Sequence, residues 1–259
     1  MLGLTVLGSG SQGNALVVHG PEGALLLDAG LSLRELRRRM AAAGIEETAL
    51  QAVVVSHEHA DHITGLGPLV NTLKLPVYCN RGTGLSVCEH RIAPGSLKLF
   101  AAGCTFAVGG LSVSPFSIPH DASDPVGFVI SADGLKIGVA TDLGYASGLV
   151  LHHLADCDLL VLECNHDVEM LRQSSRPWSV KHRILGRHGH LSNDACMTLM
   201  GQVLRPRTRQ LVLAHASREC NRYELIAEMT ARQLAALNRT DVHAHVARQD
   251  DVLPTLWVG

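Results

Sequence analysis

Ala52-Val53-Val54-Val55-Ser56-His57-Glu58-His59-Ala60-Asp61-His62 decides how this chain is to be read. Four apolar residues form a strand, and the seven that follow carry three imidazoles and two carboxylates. First-row divalent cations accept neutral imidazole nitrogen and carboxylate oxygen alike, and a loop at a strand end can converge such ligands without helical spacing. His57, His59, Asp61 and His62 fit an H-x-H-x-D-H pattern. That spacing suits two metal ions rather than one, because adjacent Asp61 and His62 can point away from His57 and His59.

Outside the cluster, polar side chains recur where apolar runs end. His120 follows Ser117-Ile118-Pro119, Asp142 follows Gly138-Val139-Ala140-Thr141, and His215 follows Leu211-Val212-Leu213-Ala214. Taken singly, each is a weak signal, and a lone histidine after a strand is more often a hydrogen-bonded loop residue. Joined to the cluster they make seven ligands, enough for two sites with Asp142 bridging and solvent completing the shells.

The rest of the chain alternates strands with helices. Strands are expected at Leu4 to Leu7, Ala15 to His19, Ala24 to Asp28 and Ala52 to Ser56, with Gly20-Pro21-Glu22-Gly23 as a hairpin turn. Ser32-Leu33-Arg34-Glu35 is a capping box opening a helix whose Leu33, Leu36 and Met40 share a face and which ends at Gly44. A helix through Leu66, Leu69, Val70 and Leu73 follows the histidine cluster, and Lys74 to Glu89 reads as a connection. Further strands are expected at Thr105 to Val108, Leu111 to Ile118, Val126 to Ser131, Leu135 to Ala140, Leu159 to Glu163 and Leu211 to Ala214. Helices are expected at Asp167 to Gln173, Ser192 to Leu204 and Glu219 to Leu237, with Val242 to Val246 and Thr255 to Val258 as a closing strand pair. This is an α/β pattern of two mixed sheets packed face to face with helices outside, read as one domain over residues 1–259.

Composition narrows the functions available. A 46% hydrophobic content over 259 residues fills a sizeable core, and at 3% aromatic the packing must be mainly aliphatic. The formal net charge of -2 gives no global electrostatic argument for nucleic acid and leaves a local basic patch open. The start of the chain lacks a basic segment and a small-residue cleavage site, and no apolar run is long enough to span a bilayer. Seven scattered cysteines without C-x-x-C spacing favour reduced thiols in a cytoplasmic protein, with Cys164 and Cys220 read as buried structural thiols.

Gly8-Ser9-Gly10-Ser11-Gln12-Gly13 satisfies the dinucleotide fingerprint G-x-G-x-x-G, with Asp28 near the ribose-binding position. The fingerprint has to open a helix, whereas Ala15-Leu16-Val17-Val18 continues as a strand. The segment is better read as a tight loop bringing backbone amides, Ser9, Ser11 and Asn14 near a bound group. Ser217 and Asn221 join them as candidate phosphate contacts by residue type and neighbourhood. Asp28 reads as a buried support for the metal loops, and Asn165 and Asp167 as residues shaping the pocket.

With these residues in place the sequence resembles the metallo-β-lactamase superfamily. Within it the resemblance is to the YycJ/WalJ group of bacterial proteins, related to tRNase Z, PhnP and the RNase J enzymes. Besides the cluster it rests on Gly8 to Asn14, Leu27-Asp28-Ala29-Gly30, Pro119-His120-Asp121-Ala122, Thr141-Asp142-Leu143-Gly144, Leu162-Glu163-Cys164-Asn165, Gly189-His190-Leu191-Ser192-Asn193 and Ala214-His215-Ala216-Ser217. The resemblance implies an αββα four-layer sandwich with two divalent ions, zinc or manganese and also iron. His57, His59 and His120 would hold one ion, Asp61, His62 and His215 the other, and Asp142 would bridge. Two such ions sharing a solvent molecule lower its pKa and stabilise charge on a phosphoryl oxygen. Asp61 would also orient the attacking hydroxide, and His190 is the expected general acid, with His188 its nearest rival.

The implied activity is a 5′-to-3′ exonuclease acting on DNA. The run Lys181 to His190 carries three cations besides its histidines and would meet a phosphate backbone if folded beside the metals; a solvated basic loop is the other reading. Two further functions stay open from the sequence. One keeps the metals and hydrolyses a small phosphodiester such as a cyclic phosphate, or a thioester or lactone. The other is a metal-binding regulator without catalysis, against which the intact ligand set and the available acid both argue.

Overall fold

A computed structural model describes residues 1–89, 92 and 94–259. The strands are β1 (Leu2–Gly8), β2 (Ala15–Gly20), β3 (Gly23–Leu27), β4 (Leu50–Val54), β5 (Val77–Asn80), β6 (Leu97–Phe100), β7 (Phe106–Val108), β8 (Leu111–Ser117), β9 (Val126–Ala132), β10 (Leu135–Ala140), β11 (Leu159–Glu163), β12 (Gln210–Ala214), β13 (His243–Val246) and β14 (Leu253–Val258). They form two seven-stranded sheets, in the orders β14-β1-β2-β3-β4-β5-β6 and β13-β12-β11-β10-β9-β8-β7.

The alternation of side chains along each strand explains the layering. Leu25 and Leu27 of β3 face Phe128, Ile137, Leu159 and Val161 of the other sheet in a shared central core. Their neighbours Ala24 and Leu26 turn outward, where Leu36, Met40, Leu66 and Leu69 from helices Leu33–Ala42 and Leu66–Leu73 cover them. In the second sheet Leu160, Leu162, Leu211 and Leu213 turn outward against helices Gly148–Leu154, Asn193–Val203 and Tyr223–Ala236. Sheets buried on both faces need continuous apolar runs, as in Leu159-Leu160-Val161-Leu162. The result is the expected αββα sandwich. No helix among the described residues is long and apolar enough to cross a membrane.

Each sheet is half antiparallel and half parallel, and the parallel halves place the site. Strands β3 and β4 run parallel, as do β10, β11 and β12. Their carboxyl ends therefore lie side by side, and the chain leaves each into a loop at the same edge. Asp28, Asp142 and His215 turn out of their strands with φ of 60°, 58° and 57°. A non-glycine residue in that left-handed region is uncommon and costs energy, so its recurrence at three strand ends marks the edge where function resides.

Several local expectations are revised. Ser32 caps its helix through the Glu35 amide, but the Glu35 carboxylate turns to Arg38 and Arg39 instead of completing the box. Residues 74–89 are not a mere connection: they contain β5 and helix Arg81–Cys88. The closing strands do not pair with each other. β13 joins β12 in one sheet while β14 joins β1 in the other, so the chain end crosses between sheets.

Candidate metal centre

The histidine cluster leaves β4 as an extended loop and then forms one helical turn, Ala60–Ile63. That turn places Asp61 and His62 on successive helical positions. His62 does not point away from His57 as the sequence suggested; their ring centroids are 4.1 Å apart. Backbone hydrogen bonds stitch the turn to its neighbours, from Asn14 N to Asp61 O (2.7 Å), Ala29 N to His62 O (2.8 Å) and Gly65 N to Ala29 O (2.7 Å). Gly30 lies against this seam, where an added Cβ would sit 1.6 Å from the Asp61 carbonyl oxygen. Gly30→Ala is therefore expected to displace Asp61, with a loss of about 1–3 kcal/mol in stability and roughly ten- to a hundredfold in metal affinity. Denaturant unfolding and metal titration would check this, and wild-type values in both would refute the seam's role.

All seven sequence-predicted ligands converge. Donor atoms of His57, His59 and His120 lie within 4.8 Å of one another, as do those of Asp61, His62 and His215. Asp142 stands between the two sets: its carboxylate is 3.2 Å from His62 Nε2, 3.5 Å from His215 Nε2 and 3.8 Å from His120 Nε2. Outer partners fix how the rings present. His62 Nδ1 donates to Asp28 (2.8 Å), His215 Nδ1 to Glu163 (2.8 Å) and His120 Nδ1 to the Gly189 carbonyl (3.1 Å). Ser56 Oγ donates to Asp28 (2.9 Å) and meets His57 Nδ1 at 3.0 Å. Each of those four rings is left with Nε2 facing the centre, the arrangement that fixes tautomer and direction in imidazole ligands.

The donor set fits a pair of divalent cations. His57 Nε2 and Asp142 Oδ2 are buried and make no hydrogen bond, an arrangement that is costly unless something else satisfies them. The charges also conflict. Burial pushes His57 well below its ordinary pKa, whereas for His62 and His215 burial is outweighed by Asp142 and other carboxylates, which hold both well above it. Asp142 is itself buried and is kept ionised by His215 and His62. Cations would stabilise the carboxylates and leave every imidazole neutral.

Glu163, which closes the apolar run Leu159 to Leu162, has a role that no motif in the sequence indicates. It is fully buried at the end of β11 and accepts from His190 Nδ1 and His215 Nδ1 on Oε1, both at 2.8 Å. Its Oε2 accepts the backbone amides of Leu143 (2.8 Å) and Leu191 (2.9 Å). Burial alone would raise its pKa, but His190 and His215 bring it to about 2. In return Glu163 outweighs the burial of His190 and raises that ring above its ordinary value. The His190 and His215 rings are 5.3 Å apart, and His190 faces the cleft while its rival His188 is exposed on the surface.

The cleft over this cluster, about 190 Å³, is lined on its polar side by Ser11, Asn165 and Ser217 as well as by His190. Of the expected phosphate contacts, Ser11 and Ser217 therefore meet it. Ser9 and Asn14 do not: Ser9 Oγ accepts the His215 amide (2.8 Å) and donates to Asn14 Oδ1, both side chains being buried beneath the ligands. Asn221 lines an adjoining pocket, but its amide donates to the Cys164 and Asn165 carbonyls and to Asn193. Their polar groups are spent on holding loops together. Asp167, expected to shape the pocket, caps helix Val168–Gln173 instead.

Comparison with known proteins agrees with this architecture. The Beta-lactamase superfamily domain matches residues 24–216. The chain is 38% identical over 236 residues to the Bacillus anthracis protein named Exodeoxyribonuclease YycJ, covering 90% of this chain and 89% of that one. It is 33% identical to Exodeoxyribonuclease WalJ of Streptococcus pneumoniae, covering 89% and 87%. The crystal structure of the metallo-β-lactamase fold protein YhfI from Bacillus subtilis superposes with a TM-score of 0.73 at 16% identity, over 98% of this chain and 99% of that one. With its two sheets, its His/Asp cluster at their shared edge and relatives matching nearly end to end, the chain belongs to the β-lactamase superfamily, in the group that includes YycJ and WalJ.

Proposed function

We propose that the chain is a dinuclear metal-dependent phosphodiesterase that removes nucleotides from DNA in the 5′-to-3′ direction. The observation that carries this reading is the junction of two facts: near full-length similarity to proteins named exodeoxyribonucleases, and convergence of seven nitrogen and oxygen donors around Asp142. His57, His59 and His120 would hold one divalent ion and Asp61, His62 and His215 the other, with Asp142 shared. Nitrogen and oxygen donors of this kind suit zinc or manganese, and iron as well. Such a pair of ions supplies Lewis acidity and an activated water at neutral pH.

The chain's own groups do the rest. His190, its Nδ1 bound to an ionised Glu163, carries a proton at the cleft wall and would deliver it to the leaving oxygen. Asp61 sits at the cleft with its carboxylate 3.4 Å from His215 Nε2, where it can orient the attacking oxygen as well as bind. Ser11 and Ser217 offer hydroxyls to a phosphate beside the reacting one. Residence in the cytoplasm belongs to the same reading, since all seven cysteines are free thiols.

The test is to load the purified protein with zinc or manganese and supply end-labelled single- and double-stranded DNA and RNA beside a small phosphodiester. Stepwise shortening of DNA from its 5′ end is expected. Cleavage of the small diester with no attack on either polymer would replace this reading with a small-molecule phosphodiesterase.

A further inference from the structure

Not all of the cleft is metal cluster. The segment running into helix Trp178–Leu185 contributes Arg176 and Arg183 to its lining. Each guanidinium is tied at the surface to one carboxylate: Arg176 Nε to Glu219 Oε2 at 2.8 Å, and Arg183 Nε to Asp121 Oδ2. Among the described residues, the hydrogen bonds of both groups run through Nε alone. The arginines that build the fold behave differently. Arg39, Arg207 and Arg239 direct their terminal nitrogens onto backbone carbonyls, of Leu7, Gly134 and Arg205 among others. Arg176 and Arg183 thus keep the fork of the guanidinium for something else, and that fork matches the paired oxygens of a phosphate.

The segment is held in place. Lys181 is buried, with Nζ donating to the carbonyls of Arg172 (2.6 Å) and Ser174 (2.7 Å). Beyond the helix, Gly144 packs so closely on the Arg187 carbonyl that a Cβ there would lie 2.2 Å away, which locks the segment to the Asp142 loop. Arginines carried on an anchored element lose less freedom when they bind. Their present partners are weak competitors, because half-exposed ion pairs contribute little and a phosphate can take their place.

We propose that Arg176 and Arg183 form a phosphate grip beside the metal centre, binding backbone phosphates of a nucleic-acid strand whose scissile bond lies at the cluster. This rests on the nuclease reading above and identifies the residues that distinguish a strand from a small diester. A diester has one phosphate, which the cluster takes; a strand brings neighbouring phosphates, and these reach the arginines.

The experiment measures binding of a 3′-fluorescent, phosphorothioate-linked single-stranded DNA to the metal-loaded protein by anisotropy across a salt series. Arg176→Ala and Arg183→Ala are each expected to weaken binding roughly tenfold, the loss of a charge-assisted contact. Each should also flatten the slope of log affinity against log salt by about 0.7. Arg183→Lys should restore the slope, which a merely structural arginine would not require, and Glu219→Gln should tighten binding by releasing Arg176. Wild-type affinity and slope in both alanine variants would overturn the grip. Arginine-dependent binding without DNA cleavage by the wild-type protein supports the grip and removes the nuclease reading; cleavage with unaltered binding in both variants does the reverse.

Discussion

Asp142→Asn is expected to fold and yet fail to keep its metals, with turnover falling by at least about a thousandfold. The side chain keeps its volume and one oxygen, so packing at this buried position is preserved. What disappears is the charge that faces His62, His215 and His120 at 3.2, 3.5 and 3.8 Å. A group standing between both donor sets serves both, so its loss weakens two sites at once. Metal ions contribute several kcal/mol to charge stabilisation in phosphoryl chemistry, and about 1.36 kcal/mol corresponds to tenfold in rate. The check is metal content per chain by mass spectrometry after desalting, beside circular dichroism to confirm folding. A variant that retains two tightly bound ions per chain would remove Asp142 from the shared position.

That Asp142 could be picked out in the sequence at all has a simple cause. It, His120 and His215 each stand within two residues of an apolar run, and strands of a buried sheet deliver whatever follows them to one edge. Glu163 obeys the same rule, closing the run Leu159-Leu160-Val161-Leu162, and that was the available signal. Its role is not legible in the sequence because its partners come from distant segments that only the fold brings to it: His215 from the end of the paired strand β12, and His190 from a loop whose Leu191 amide is bound by the same carboxylate. Ser9, Asn14 and Asn221 show the opposite case. Residue type says that Ser9, Asn14 and Asn221 can bind a ligand, but buried polar groups must first be satisfied, and here neighbouring loops satisfy them. Helix Arg81–Cys88 is not legible in the sequence because two glycines and two β-branched residues in eight positions give it little intrinsic preference, and an Asn80 cap and packing make the difference.

Glu163→Gln should be more damaging than removal of the acid His190 itself. Both oxygens of Glu163 accept, Oε1 from the two imidazole Nδ1 groups and Oε2 from the Leu143 and Leu191 amides. A glutamine satisfies one pair only. With its NH2 toward the rings it forces His190 and His215 to accept through Nδ1, turning the wrong tautomer of His215 toward the centre. With its NH2 toward the backbone it sets donor against two buried donors. The second orientation costs about 1–3 kcal/mol of stability per unsatisfied amide, and the first lowers metal affinity roughly ten- to a hundredfold through the misdirected His215. The lost charge also leaves the burial of His190 opposed by Asp142 alone, so that its proton is released as pH rises from a lower value than in the wild type.

His190→Ala, by contrast, should retain both metals and lose on the order of a hundred- to ten-thousandfold in turnover on DNA, the usual range for a missing proton donor. Its deficit should shrink on a diester whose leaving group is a nitrophenolate, which departs without a proton, whereas the deficit of Glu163→Gln should persist on both substrates. Equal deficits for His190→Ala on the two substrates would exclude it as the acid, and wild-type metal content and melting temperature in Glu163→Gln would show that the carboxylate does not hold the two rings in place.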